Sequence, residues 1–297
     1  PRTGQRMMFG VASMTATLRK VAVMKPGMSL RIADPEKWHY GPLFDPDKVA
    51  GIHSEFVQML HTSGAEIFWM PEDDRGIADA VFTYDASLMT MSGAILMSPG
   101  KALRSGEEAI HREFYKAHNI PVIGAITGQA RAEAGDTLWL DERTLVIGRG
   151  FRTNQAGVEQ LKSIVKPLGV DVHVFDLPVF SGKAACLHLM SLLSLVDKYS
   201  ALVCLPLLPV GLYELLKGKG FSIIEAPYSE FLSSNTLSTN ILATAPGECI
   251  MLDGLPQTHA ALINKGINVQ VFKGDALCIG CEGGPTCLTR PLLRSEA

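Results

Sequence analysis

Short apolar runs, each closed by polar, proline or glycine residues, dominate the chain, and several are followed by a stretch with helical spacing. Lys20-Val21-Ala22-Val23-Met24 reads as a first strand, ended by Lys25-Pro26-Gly27. The segment before it, Arg2 to Leu18, has no clear period and reads as a loosely ordered lead-in. A polar connection from Met28 to Asp45 follows, carrying Trp38 and Tyr40. A loop that long without structure of its own is often a lid or a binding loop. Asp45-Pro46-Asp47 then offers a helix start, and Val49, Ile52, Phe56 and Leu60 form an apolar stripe that runs to Gly64. Glu66 to Met70 is strand.

The same punctuation continues. Asp79-Ala80-Val81-Phe82-Thr83-Tyr84-Asp85 reads as a short apolar strand bracketed by carboxylates, and acidic strand ends are ordinarily solvated turns. Ala94 to Met97 is strand; Ser105 with Glu108 three residues on has capping-box spacing for a helix; Val122-Ile123-Gly124 is strand. Thr137 to Leu140 and Thr144 to Ile147 predict a hairpin across Asp141-Glu142-Arg143, and Val158, Leu161 and Val165 mark a helix after it. Strands at Val170 to Phe175, Leu202 to Leu205 and Phe221 to Glu225 surround an apolar element from Leu187 to Leu195 and a helix from Gly211 to Lys219. The last set is two strands, Asn240 to Ala243 and Cys249 to Leu252, a helix from Gln257 to Lys265, and a strand from Val269 to Phe272. The result is a succession of strand-strand-helix-strand modules of roughly 50 residues, a period that hints at a repeat architecture in one domain over 1–297. No glycine-rich phosphate loop follows a strand, which argues against nucleotide binding.

Composition narrows the function. A hydrophobic fraction of 47% with 19% charged residues describes a globular protein with a substantial core. No apolar run reaches the roughly 18 residues needed to span a bilayer, and no basic-then-apolar leader is visible. A net charge of -3 without a dense Lys/Arg cluster gives no support for nucleic acid or an anionic membrane, so a small-molecule partner is expected. Six cysteines are too few for a disulfide scaffold at this length, and a reduced, cytoplasmic protein is the expectation. Cys278-x-x-Cys281 with Cys287 hints at metal-ligand spacing, but a structural zinc site ordinarily has two close ligand pairs, and no metal is expected.

The candidate chemistry centres on Gly283-Gly284-Pro285-Thr286-Cys287, a stiffened glycine turn that would present a cysteine on a fixed corner, with Arg290 close enough to favour a thiolate. Taken alone, the corner reads equally well as a surface loop with an inert cysteine. Nucleophilic cysteine catalysis also needs a general acid/base and a group that orients it. His188, in Cys186-Leu187-His188-Leu189-Met190-Ser191, has apolar neighbours and no adjacent charge, a setting more usual for a core histidine.

The ordered combination is more specific than any part of it. From about Lys20 to Arg294 the chain resembles the guanidino-group-modifying enzymes, the pentein superfamily, and within it the dimethylarginine dimethylaminohydrolase branch. The resemblance is carried by Asp79-x-Val81-Phe82-x-x-Asp85, Glu133-x-Gly135-Asp136, Arg152-Thr153-Asn154-Gln155-x-Gly157, Leu187-His188-Leu189-x-Ser191 and the Cys287 corner.

That resemblance implies a five-bladed α/β propeller of ββαβ modules around a central site. It makes Cys287 the nucleophile, His188 the general acid/base and Glu133 the carboxylate that orients it. Asp85 and Asp79 would hold a guanidinium, and Arg104 and Arg152 an α-carboxylate, which suits the guanidinium fork. No cofactor is implied, and a homodimer is the assembly the family suggests. Deiminases and amidinotransferases carry an aspartate two residues after the histidine, where this chain has Met190. An apolar surface there suits an alkylated nitrogen, which favours a hydrolase of N-omega-methylated arginine that yields citrulline and dimethylamine. Tyr84 and Ala134 depart from the branch's pattern, and the nucleophile corner is closer to the deiminase type. A deiminase, a hydrolase of another guanidino or ureido acid, an amidinotransferase, a non-catalytic binding protein on the same propeller, and a zinc-stabilised interaction module remain as alternatives.

Overall fold

The computed structural model describes residues 8–296. Fifteen strands among the described residues form five three-stranded sheets. The first blade holds β1 (Thr17–Met24), the one-turn helices α1 (Met28–Arg31) and α2 (Pro35–Trp38), then α3 (Val49–Thr62) and β2 (Glu66–Met70). The second is β3 (Ser87–Met89), β4 (Ala94–Leu96), α4 (Glu107–Ala117) and β5 (Val122–Ala125). The third is β6 (Thr137–Asp141), β7 (Thr144–Arg149), α5 (Gln155–Val165) and β8 (Asp171–Asp176). The fourth is α6 (Leu189–Leu192), β9 (Leu193–Asp197), β10 (Ser200–Val203), α7 (Val210–Gly218) and β11 (Ser222–Glu225). The fifth is α8 (Tyr228–Ser233), β12 (Leu242–Ala245), β13 (Glu248–Leu252), α9 (Pro256–Ile263) and β14 (Asn268–Phe272).

In every blade the middle strand pairs antiparallel with the inner strand and parallel with the outer one, the helix supplying the crossover. The first blade takes its inner strand from the other end of the chain: β15 (Arg290–Ser295) pairs with β1, closing the ring. Middle strands read as unbroken apolar runs because both faces are covered; Leu145, Val146, Ile147, Ala201, Leu202 and Val203 are fully buried. The five ββαβ blades are the pentein propeller, and their length is the module length legible in the sequence.

Several sequence expectations are corrected. Asp79 to Asp85 is not a strand: Ala78–Val81 is a buried 3-10 turn, with the Phe82 N–H donating to the Asp79 carbonyl, and pairing begins only at Ser87. The Met28–Asp45 connection is ordered, because Pro35 starts α2 and the Asp34 side chain accepts from the Glu36 and Lys37 N–H groups. Helix α4 is capped by Gly106 at φ 107° rather than by Ser105, with Glu108 accepting from the Gly106 N–H. The Leu187–Leu195 element splits into one helical turn and β9. Of the supposed lead-in, residues 1–7 lie outside the described residues; beyond them Gly10 bridges to Leu293, and Val11 and Ala12 are buried.

The Arg152-Thr153-Asn154-Gln155-x-Gly157 run has a structural task. Asn154 caps α5 by accepting from the Gly157 N–H, and the same oxygen accepts from Arg131 N–H, so the helix start is pinned against the strand-like segment that leads to Glu133. A Cβ at Gly157 would lie 1.9 Å from the Arg131 carbonyl oxygen. Gly157→Ala is therefore expected to cost about 2–3 kcal/mol by overpacking, a fall of roughly 4–10 °C in Tm. Thermal melting checks it; an unchanged Tm would mean the two segments separate freely.

Candidate active site

Each blade brings one loop to the centre, just ahead of its inner strand. These loops carry Asp85 before β3, Glu133 and Asp136 before β6, His188 before β9, Asn240 before β12 and Cys287 before β15. They bind one another around the ring. Ala134 N–H donates to the Asp85 carbonyl, Leu189 N–H to Asp136 Oδ1, Thr239 Oγ1 to the Ser191 carbonyl, Thr286 N–H to Asn240 Oδ1, and Tyr84 N–H to the Cys287 carbonyl.

Glu133 is buried and collects donors: Gly100 N–H at 3.1 Å and Lys101 N–H at 3.2 Å on Oε1, Arg152 Nη1 at 3.0 Å and His188 Nε2 at 2.5 Å on Oε2. Burial opposes its ionisation, but Arg152, then His188, override that and hold its carboxyl well below the ordinary range. Burial would likewise discharge His188; the negative field of Cys186, Asp85 and Asp136 reverses this and raises it well above an ordinary imidazole. With Nε2 committed to Glu133, Nδ1 is the nitrogen without a carboxylate partner. Cys186 Sγ lies 3.5 Å from it. A Cβ at Gly135 would come within 2.6 Å of it, so glycine is required at that position of the Glu133-Ala134-Gly135-Asp136 run, whereas Ala134 is accommodated and buried.

Asp85 accepts from Gly135 N–H at 2.8 Å and from Arg104 Nη1 at 2.6 Å. Arg104 also reaches Glu107 at 2.8 Å and the Phe82 carbonyl at 3.0 Å. Asp79 accepts from Tyr40 O–H and Lys101 Nζ, both at 2.6 Å. Lys101 Nζ in turn reaches the Trp38 carbonyl and lies 5.0 Å from the centre of its ring, so the α1–α2 segment is fastened over this end of the site.

Cys287 is half-buried at the junction of two pockets. One is lined by Asp79, Asp85, Lys101, Arg104 and Arg152 and is strongly charged. The other, past Asp85 and His188, runs to Met190, Thr236 and Leu237, with Glu282 also on its wall and its carboxylate held by Asn235 Nδ2 at 3.1 Å. Burial pushes the Cys287 thiol up to about 11, Asp85 adding to the shift while His188 and the Gly284 N–H oppose it. The expected help from Arg290 is not there. Its guanidinium is buried at 1% exposure, donates to the Tyr84 and Ser87 carbonyls and packs on the Tyr84 ring, facing away from the sulfur.

All seven residues singled out from the sequence therefore line this centre or bond directly to residues that do. Sequence reasoning missed Asn240, Lys101, Tyr40 and Cys186. Asn240 had a usable signal, its place ahead of an inner strand like the other four. Asp85, Glu133 and His188 present ligand-type atoms within 4.8 Å of one another, but Arg104 and Arg152 already balance both carboxylates, so the donor set does not ask for a metal ion.

Residues 77–206 match the arginine deiminase family. An uncharacterized protein of Bacillus subtilis (strain 168) is 25% identical over 284 residues, covering 94% of this chain and 93% of that one. A dimethylarginine dimethylaminohydrolase of Streptomyces coelicolor is 30% identical over 161 residues, 52% of this chain and 57% of its own. Among solved structures, the dimethylarginine dimethylaminohydrolase from Pseudomonas aeruginosa, a mutant complexed with citrulline, superposes with a TM-score of 0.76 at 24% identity over 94% of this chain and 100% of that one. The chain thus has the propeller fold of the pentein superfamily, and part of its length, residues 77–206, matches the arginine deiminase family. In fold the chain is also similar to an amidinotransferase from Microseira wollei, with a TM-score of 0.78 at 16% identity over 98% of each chain.

Proposed function

We propose that the chain, as a single catalytic domain, is a cysteine-dependent hydrolase of the guanidino carbon, acting on N-omega-methylated arginine to give citrulline and the methylamine. The observation that carries the substrate choice is the apolar end of the inner pocket. Met190, 6% exposed, stands with Leu237 beside Asp85, His188 and Cys287 and offers a substituted nitrogen an apolar surface, while Glu282 on the same wall is already engaged by Asn235. Asp85 takes the guanidinium, Asp79 supports it, and the cations of the outer pocket, Arg104 and Arg152 with Lys101 beside them, take the α-carboxylate.

The reaction proceeds in two halves. Cys287 thiolate adds to the guanidinium carbon, which the flanking carboxylates keep cationic. The tetrahedral adduct collapses as His188 gives a proton to the departing amine, leaving an S-alkylthiouronium on Cys287. His188 then accepts a proton from water, which adds to the same carbon and expels the thiolate with the ureido product. A bound guanidinium beside the sulfur favours the thiolate that burial disfavours in its absence.

A second reading, arginine deimination, is favoured by the match of residues 77–206 to the arginine deiminase family. A panel of asymmetric dimethylarginine, monomethylarginine, arginine and smaller guanidino acids separates the two. Dimethylamine release in step with citrulline is expected; turnover of arginine alone, with ammonia release, would replace this reading with the deiminase.

A further inference from the structure

Four of the five loops at the centre have roles in the proposed reaction; the fifth, ahead of β12, presents Asn240. Its side chain is 6% exposed and engaged at both ends. Thr286 N–H lies 2.9 Å from Oδ1, and since an N–H can only donate, the carbonyl end of the amide must face it. The NH2 end is thereby turned to the sulfur of Cys287, with Nδ2 3.2 Å from Sγ. Gly284 permits this approach, since a Cβ there would lie 2.4 Å from Asn240 Cγ. The loop is braced from the histidine's side as well: Thr239 Oγ1 donates to the Ser191 carbonyl and Ser194 Oγ to the Thr239 carbonyl.

We infer that Asn240 binds the Cys287 thiolate, donating a hydrogen bond that stabilises the charged sulfur and fixes its direction toward the guanidinium carbon. The inference rests on Cys287 being the nucleophile. Among the described residues, Asn240 is the one side chain that hydrogen-bonds the sulfur. The charged and titratable groups around Sγ do not replace it. Asp85 and Cys186 disfavour the thiolate and His188 favours it; Cys278 lies behind it, and Asp79, Glu282, Lys101, Arg104 and Arg152 face it across the outer pocket. A neutral donor stabilises S⁻ over S–H without adding a cation that would repel the substrate's guanidinium.

The test uses Asn240→Asp, the same shape with an acceptor in place of the donor, and Asn240→Ala, which removes both contacts. Both are made in a Cys186→Ser background so that Cys287 is the accessible thiol read. The pH dependence of iodoacetamide alkylation and of kcat/KM is then measured. A charge-assisted hydrogen bond to sulfur implies a loss of roughly 10- to 100-fold in neutral-pH alkylation rate in both variants, with the midpoint moved to higher pH and kcat/KM following. Midpoints left in place or moved down would overturn the inference even if activity fell, because packing alone does not titrate a thiol. Alkylation that survives in Cys287→Ser would instead remove the nucleophile assignment, a separate failure.

Discussion

Cys287→Ser is expected to lower turnover by about 10^4-fold or more, leaving a folded protein that still binds its substrate. The hydroxyl is far harder to ionise than a thiol in the same setting, and burial already pushes the Cys287 thiol up to about 11. Two contacts that hold the corner use backbone atoms of the corner itself, Tyr84 N–H to the Cys287 carbonyl and Thr286 N–H to Asn240 Oδ1, and serine keeps both. Tm and substrate affinity by calorimetry should therefore stay near the parent values while product formation disappears. Measurable turnover at even a hundredth of the parent rate would take Cys287 out of the mechanism.

His188→Asn is the second large effect, a fall of roughly 10^2- to 10^4-fold with an amine leaving group. The two half-reactions should respond differently. A substrate analogue whose leaving group departs without a proton should still alkylate Cys287, because attack needs only the thiolate and the carboxylates. Release of that adduct needs a base for water, so the covalent species should accumulate and be visible by intact-protein mass spectrometry. Glu133 would keep Arg152 and the Gly100 and Lys101 N–H groups as partners, so the variant should fold. An adduct that turns over at the parent rate would mean another group, with Cys186 the nearest, activates the water.

What was legible in the sequence follows from how each feature is encoded. The blades were readable because each middle strand is a local apolar run and each crossover helix has its own stripe, as with Val49, Phe56 and Leu60 on α3. The Asp79–Asp85 stretch was misread because a buried 3-10 turn and a strand share the same apolar composition; only the local bond from Phe82 to Asp79 tells them apart. The order of Asp85, Glu133, His188 and Cys287 along the chain was visible through their flanking motifs. Partner choice was not. Arg290 is three positions from Cys287, yet the start of β15 turns its side chain toward the Tyr84 and Ser87 carbonyls. Lys101 and Tyr40 meet at Asp79 from segments that sequence spacing leaves unrelated.

The pairing of β15 with β1 has a consequence for when the protein becomes competent. Cys287 stands just ahead of the strand that completes the first blade, so the proposed nucleophile reaches its corner only when the two most distant strands of the fold have met. Contacts of such sequence separation form late and pay the largest loop-closure entropy. An open ring, however well formed its other blades, holds Glu133 and His188 without Cys287 at the junction of the pockets. Under the proposed mechanism, catalytic competence therefore arrives only with topological completion.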